Sequence, residues 1–206
     1  MIFLWYDCYC DELEQMVHYA ALGYQRCLTV ASGGNISMRC KDGILISASG
    51  TTFRALTPEE ILLVNLKGEL IGASGERQPS KEMWLHLEIY RTYPDAVGVY
   101  HVHPRYITAY SVNGIQFPRV TSSARRKLSP STLVREAPAG SPELLDHLRE
   151  AIVVAGDEKF PIFILRAHGI ITMGGTLRAA YESAELAEES AKIALLSQIA
   201  ALEGGL

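Results

Sequence analysis

The sequence predicts a mixed α/β fold: one central, largely antiparallel sheet covered by helices. Three observations lead there. Asp42-Gly43 and Lys67-Gly68 sit between alternating apolar segments, as hairpin turns do, and hairpins pair strands antiparallel. Several segments carry apolar residues at helical spacing. The helices and strands follow one another without a strict strand–helix–strand rhythm. At 206 residues the chain is long enough for one domain with a substantial core, so we expect a single domain over 1–206.

In order along the chain, "DELEQMVHYAALGYQRCL" spaces Leu13, Met16, Val17, Ala20 and Ala21 on one helical face. Acids fill its first turn, so a helix is expected over most of 11 to 27. "NISMRCKDGILISAS" reads as the first hairpin, "TPEEILLV" opens on a helix-start signal at Thr57, and "VNLKGELIG" reads as the second hairpin. "KEMWLHLEIYRTY" is helical and leads through Pro94-Asp95 into "DAVGVYHVH", a valine-rich strand that Pro104 ends. Residues 119 to 142 are rich in turn formers and hold the basic cluster Arg125, Arg126 and Lys127. "ELLDHLREAIVVA" returns to helix, "PIFILRAHGIITM" to strand, and "TLRAAYESAELAEESAKIALLSQIAAL" is one long helix stopped at Gly204-Gly205.

Composition excludes several classes. With 48% hydrophobic and 20% charged residues the chain is an ordinary globular one, and a net charge of -4 argues against nucleic-acid binding. The four cysteines lie in the first fifth without zinc-ribbon or disulfide spacing, as in a reduced, cytoplasmic protein. "MIFLWYDC" is apolar but has no basic leader, and acids follow it at once, so neither a signal peptide nor a membrane span is expected. That tip is expected to pack on the fold or on a partner subunit.

Three groups of residues carry chemistry. His101 and His103 stand two apart on a strand, so both imidazoles leave the same face. That geometry suits two ligands of one ion, or a hydrogen-bonded pair on a half-wet face. His168, at the end of the apolar strand "FPIFIL" and before Gly169, is the candidate third donor. Three histidines with an open fourth position describe a catalytic zinc site. Gly33, Gly34, Asn35, Ser49 and Gly50, in "SGGNIS" and "SASGT", offer backbone N–H groups and short donors to an anion, though such residues are ordinary in turns. In "PSKEMWLH", Ser80 is placed to cap a helix whose first turn carries Lys81 and Glu82, with His86 four residues on along the same face.

Together "GGNIS", "SASGT", "PSKE", "HVH" and "AHG" resemble the class II aldolase/adducin family in order and separation, from about residue 11 to 202. The resemblance implies a three-layer α/β/α sandwich, a homotetramer with active sites near subunit borders, and a divalent zinc ion (or Mn2+ or Co2+) held by His101, His103 and His168. It places Glu82 as the catalytic acid/base, also able to approach the metal, and Gly34, Asn35, Ser49, Gly50 and Ser80 in a substrate-phosphate cradle. The activity implied is cleavage of a short ketose 1-phosphate, such as fuculose 1-phosphate, into dihydroxyacetone phosphate and an aldehyde through a zinc-stabilised enediolate. Epimerase, dehydratase, decarboxylase and non-catalytic adducin-like members share the pattern. This chain departs from the aldolases at Lys81, where they carry a second small hydroxyl residue; a lysine adds charge for a phosphate or selects a carboxylate. It also ends at Leu206 directly after the last helix, and carries Ser122 and Ser123 where a loop tyrosine is expected, which leaves the leaving-group acid unassigned.

Overall fold

The computed structural model describes residues 8–203, so the apolar tip up to residue 7 and the Gly204-Gly205 helix stop lie outside the described residues. Eight strands form one sheet in the order β4-β3-β2-β1-β5-β8-β7-β6. They are β1 (Asn35–Cys40), β2 (Gly43–Ser47), β3 (Ile61–Val64), β4 (Leu70–Gly72), β5 (Gly98–Val102), β6 (Ser131–Val134), β7 (Ile162–Leu165) and β8 (Gly169–Gly174). Every neighbouring pair is antiparallel except β6 with β7.

Helices α1 (Cys10–Gln25), α3 (Arg105–Val112), α4 (Ser122–Lys127) and α6 (Leu177–Glu203) share one core with the sheet. Helices α2 (Met83–Thr92) and α5 (Pro142–Ala155) build a second core on the opposite face. The result is a three-layer α/β/α sandwich. Alternation along β5 splits between the cores: Tyr100 and Val102 point to the α1/α6 layer and Val99 to the α2/α5 layer. His101 shares the parity of Val99.

Four elements differ from the sequence reading. Thr57 does form a capping box with Glu60, but it starts only a three-residue 3-10 turn, Pro58–Glu60, before the chain enters β3. Ile61 to Val64 are buried on both faces, and a central strand satisfies both where one helix stripe would not. "PIFILRAHGIITM" is a hairpin rather than one strand, because Ala167 takes a positive φ of 55° and reverses the chain at Arg166 to His168. The stretch after Pro104 is helix α3. The irregular 119 to 142 region holds α4, capped by the Thr121 side chain on Ala124 N, and edge strand β6.

Candidate metal centre

Register brings the site together. Asn35, first residue of β1, pairs with His101 on β5, and His101 pairs with Ile171 on β8. His103 leaves the end of β5, and His168 sits in the β7–β8 turn, so three strand ends converge. The ligand atoms of His101, His103 and His168 lie within 4.8 Å of one another. The Nε2 atoms of His101 and His103 are 3.0 Å apart.

Two glycines make this approach possible. A Cβ on Gly33 would stand 2.6 Å from Nδ1 of His103. At Gly34 the positive φ of 83° is joined by the backbone of β5, whose His101 carbonyl would lie 2.7 Å from a Cβ. The "SGGN" loop is therefore pressed against the histidine strand.

Glu82 stands beside the imidazoles, buried, with Oε2 3.1 Å from His101 Nε2 and Oε1 3.5 Å from His168 Nε2. Oε2 also accepts from Asn35 Nδ2 at 2.9 Å, whereas Oε1 is buried without a hydrogen-bond partner. Burial pushes this carboxyl's pKa up, but His101 and His168 outweigh it and hold Glu82 well below the usual carboxylate range. Burial pulls His101 down, and the adjacent Glu82 overrides it, so His101 is raised. The other two respond to burial and to His101 by falling, His103 to about 3 and His168 to about 4. Of the three imidazoles, His101 is therefore the one whose environment favours the proton.

A divalent ion fits these donors. Nδ1 of His101 donates to the Ile170 carbonyl at 2.9 Å, so with the proton lost from Nε2 that nitrogen presents its lone pair to the cluster. His103 and His168 are already neutral, the form that ligates. Glu82 Oε1, without a hydrogen-bond partner and 3.5 Å from His168 Nε2, adds an anionic oxygen alongside.

The anion-binding candidates assemble nearby. A β-bridge joins Ala48 to Pro79, with Ser49 N donating to Gln78 O at 2.8 Å and Ser80 N to Ser47 O at 3.2 Å. Ser49, Gly50 and Ser80 are thereby placed on adjacent loops. The Ser80 hydroxyl accepts from Glu82 N at 3.3 Å, and Glu82 is the N-cap residue of α2 rather than part of its first turn. The Asn35 amide is committed to Glu82 on one side and His86 on the other, within hydrogen-bond reach of both. Lys81 is exposed and lines a cavity of about 280 Å³ with Glu82, Trp84 and Gly140. Arg125, Arg126 and Lys127 lie on α4, packed against α6. His18 is exposed on α1 and His147 bonds the Arg135 carbonyl from α5, so both lie apart from the cluster.

Sequence reasoning missed the contacts of His86. It also missed Glu188, a buried acid on α6 that accepts from Tyr106 N at 2.9 Å and Ile107 N at 3.0 Å. Glu188 thereby anchors the start of α3, directly after His103-Pro104. A lone glutamate in an alternating charged helix carries no signal of this.

Among known proteins, the class II aldolase and adducin N-terminal domain family matches residues 14–195. An L-fuculose phosphate aldolase of Methanococcus vannielii is 33% identical over 182 residues, 88% of this chain and 94% of that one. A 3-oxo-tetronate 4-phosphate decarboxylase of Pectobacterium atrosepticum is 32% identical over 187 residues, 87% of this chain and 81% of that one. The crystal structure of the L-fuculose-1-phosphate aldolase from Thermus thermophilus superposes with a TM-score of 0.77 at 27% identity, covering 91% of this chain and 94% of the other. The motifs that build the histidine cluster all fall inside the matched span, and the chain belongs to the class II aldolase and adducin N-terminal domain family.

Proposed function

We propose that the protein is a divalent-metal-dependent carbon–carbon lyase that splits a short ketose 1-phosphate into dihydroxyacetone phosphate and an aldehyde. The observation that carries this reading is three imidazole nitrogens converging beside a buried carboxylate that has one oxygen without a hydrogen-bond partner. His101, His103 and His168 would hold the ion, zinc being the best match to three nitrogen donors, with manganese or cobalt also suited. The ion would supply Lewis-acid stabilisation of the negative charge that develops on substrate oxygen.

The remaining steps belong to the chain. Glu82 Oε1 takes or returns the proton at the carbon next to the ketone, and Asn35 keeps Oε2 occupied so that the free oxygen faces the work. Ser49, Gly50 and Ser80, with Gly34 and Lys81, supply the phosphate contacts that fix the reacting bond over the site. The homotetramer that the family resemblance implies is to be checked by sedimentation of the active protein. A fully active monomer would refute it.

Lys81 favours a second reading, decarboxylation, because an exposed cation next to Glu82 is a partner for a substrate carboxylate, and two relatives are named as decarboxylases. Loss of carbon dioxide from a 3-oxo acid and retro-aldol cleavage leave the same electron pair on the carbon beside the ketone. Product analysis separates them. Metal-loaded protein given fuculose 1-phosphate should release dihydroxyacetone phosphate and an aldehyde. Turnover confined to a 3-oxo-tetronate phosphate, with carbon dioxide released, would replace the first reading by the second. Equal turnover of a dephosphorylated ketose would overturn the phosphate cradle.

A further inference from the structure

Between α2 and β1 runs a strip of polar side chains in the core. Glu82, His86 and Tyr90 recur every four residues along α2, and Asn35 and Ser37 every second residue along β1. Four residues of helix rise about 6 Å and two residues of strand about 6.8 Å, so the two rows stay in step. Ser37 and His86 are fully buried, and Asn35 and Tyr90 nearly so. An apolar strip would pack this interface without the cost of desolvating an imidazole and two hydroxyls.

Every link has one possible direction. Asn35 Nδ2 donates to Glu82 Oε2, which turns Oδ1 toward His86 Nε2 at 2.5 Å. A carbonyl oxygen only accepts, so His86 Nε2 carries the hydrogen. Complete burial and the nearby His101 depress the His86 pKa to about 3, leaving one proton on the ring. Nδ1 is then an acceptor, filled by the Ser37 hydroxyl at 2.7 Å. Ser37 Oγ accepts in turn from Tyr90 OH at 2.9 Å, nearer than the 3.4 Å approach of that hydroxyl to the Val97 carbonyl. Four hydrogens therefore point one way, from Tyr90 to Glu82. Turning the Asn35 amide over would set its oxygen against the carboxylate and its NH2 against the His86 N–H.

We propose that His86 is a positioning residue for Glu82: it locks the orientation of the Asn35 amide, which pins Oε2 and leaves Oε1 as the proton-carrying oxygen. This rests on the reading of Glu82 as the acid/base. His86 touches neither the histidine cluster nor, on this account, the substrate.

The test compares His86→Leu, His86→Gln, Ser37→Ala and Glu82→Gln. Asparagine occurs only at 35, 65 and 113, so 15N-asparagine labelling of metal-free protein gives three side-chain amide pairs, assigned by replacing Asn65 and Asn113 in turn. The second readout is exchange of the carbon-bound protons of dihydroxyacetone phosphate with deuterated water, in zinc-loaded protein. His86→Leu should move the Asn35 amide signals, speed their hydrogen exchange, and lower kcat for carbon exchange about 10-fold or more at unchanged KM and zinc content. His86→Gln, whose amide N–H can reach Asn35 Oδ1, should restore both readouts. Where His86→Leu fails to fold, Ser37→Ala carries the same expectation, because it frees the ring to change tautomer. Unmoved Asn35 signals, or kcat within about twofold of wild type in a His86→Leu protein whose Glu82→Gln counterpart is inactive, would overturn the proposal. Normal carbon exchange in Glu82→Gln would instead remove the reading of Glu82 on which it stands.

Discussion

Asn35 faces His101 across the β1–β5 ladder while its amide holds Glu82 Oε2 at 2.9 Å, so a single side chain sets the carboxylate against the histidine cluster. Glu82→Gln keeps that bond, since the glutamine carbonyl can accept from Asn35 and its NH2 can face His168. Zinc content should be unchanged by elemental analysis, and carbon-proton exchange should fall about 10²-fold or more, the usual worth of a positioned proton transfer. Normal exchange in folded, metal-loaded Glu82→Gln would take Glu82 out of the mechanism.

His101→Ala, His103→Ala and His168→Ala should each cause a severe loss of bound metal, because two imidazoles leave too few donors. His18→Ala and His147→Ala are the controls and should bind as wild type does, since neither side chain lies in the cluster. Equal metal content in all five proteins would refute the assignment.

Gly33→Ala tests the closeness of the loop to the strand. Its new methyl meets His103 Nδ1 at 2.6 Å, and a clash with a side chain is relieved by moving the ring. Metal affinity should drop about 10-fold, as for disturbed outer contacts of a ligand, with the melting temperature little changed. Affinity equal to wild type, measured by competition with a chelator, would show that His103 has room to give.

Glu188→Ala should cost about 1–3 kcal/mol of stability, because it strips the acceptor from the buried N–H of Ile107 and from that of Tyr106. Metal affinity should fall with it, since α3 begins one residue after Pro104. Thermal denaturation and chelator competition measure the two, and an unchanged melting temperature would mean that water replaces the carboxylate.

The histidine pair was legible because spacing of two on a strand is local information, and His168 because an apolar strand ended beside it. The central sheet and its covering helices followed from hairpin turns and helical spacing, and the three layers from the family resemblance. What stayed hidden depended on tertiary contact or on weak local signals. Pro104 ends the strand, as read, yet it also precedes α3, whose start is stabilised by Glu188, 82 residues on from Tyr106. Ala167 reverses the chain without a residue that usually does so. The "TPEEI" capping box is real, but burial of Ile61 to Val64 on both faces overrode it. His86 reads as a helix-face histidine until Ser37 and Asn35 are brought beside it, 49 and 51 residues away in sequence.

The β1–β5 register has a consequence for how the activity can be lost. Strand pairing is discrete, and a slip by one residue sends each side chain of the strand to the opposite face. Displacing β1 by one position against β5 would set Gly34 or Ile36 opposite His101 in place of Asn35, and would send the Asn35 and Ser37 side chains into the α1/α6 layer. No small rearrangement recovers the site from there. One inserted residue between Gly34 and Met38 can thus abolish chemistry in a protein that still folds, with every metal-binding histidine intact.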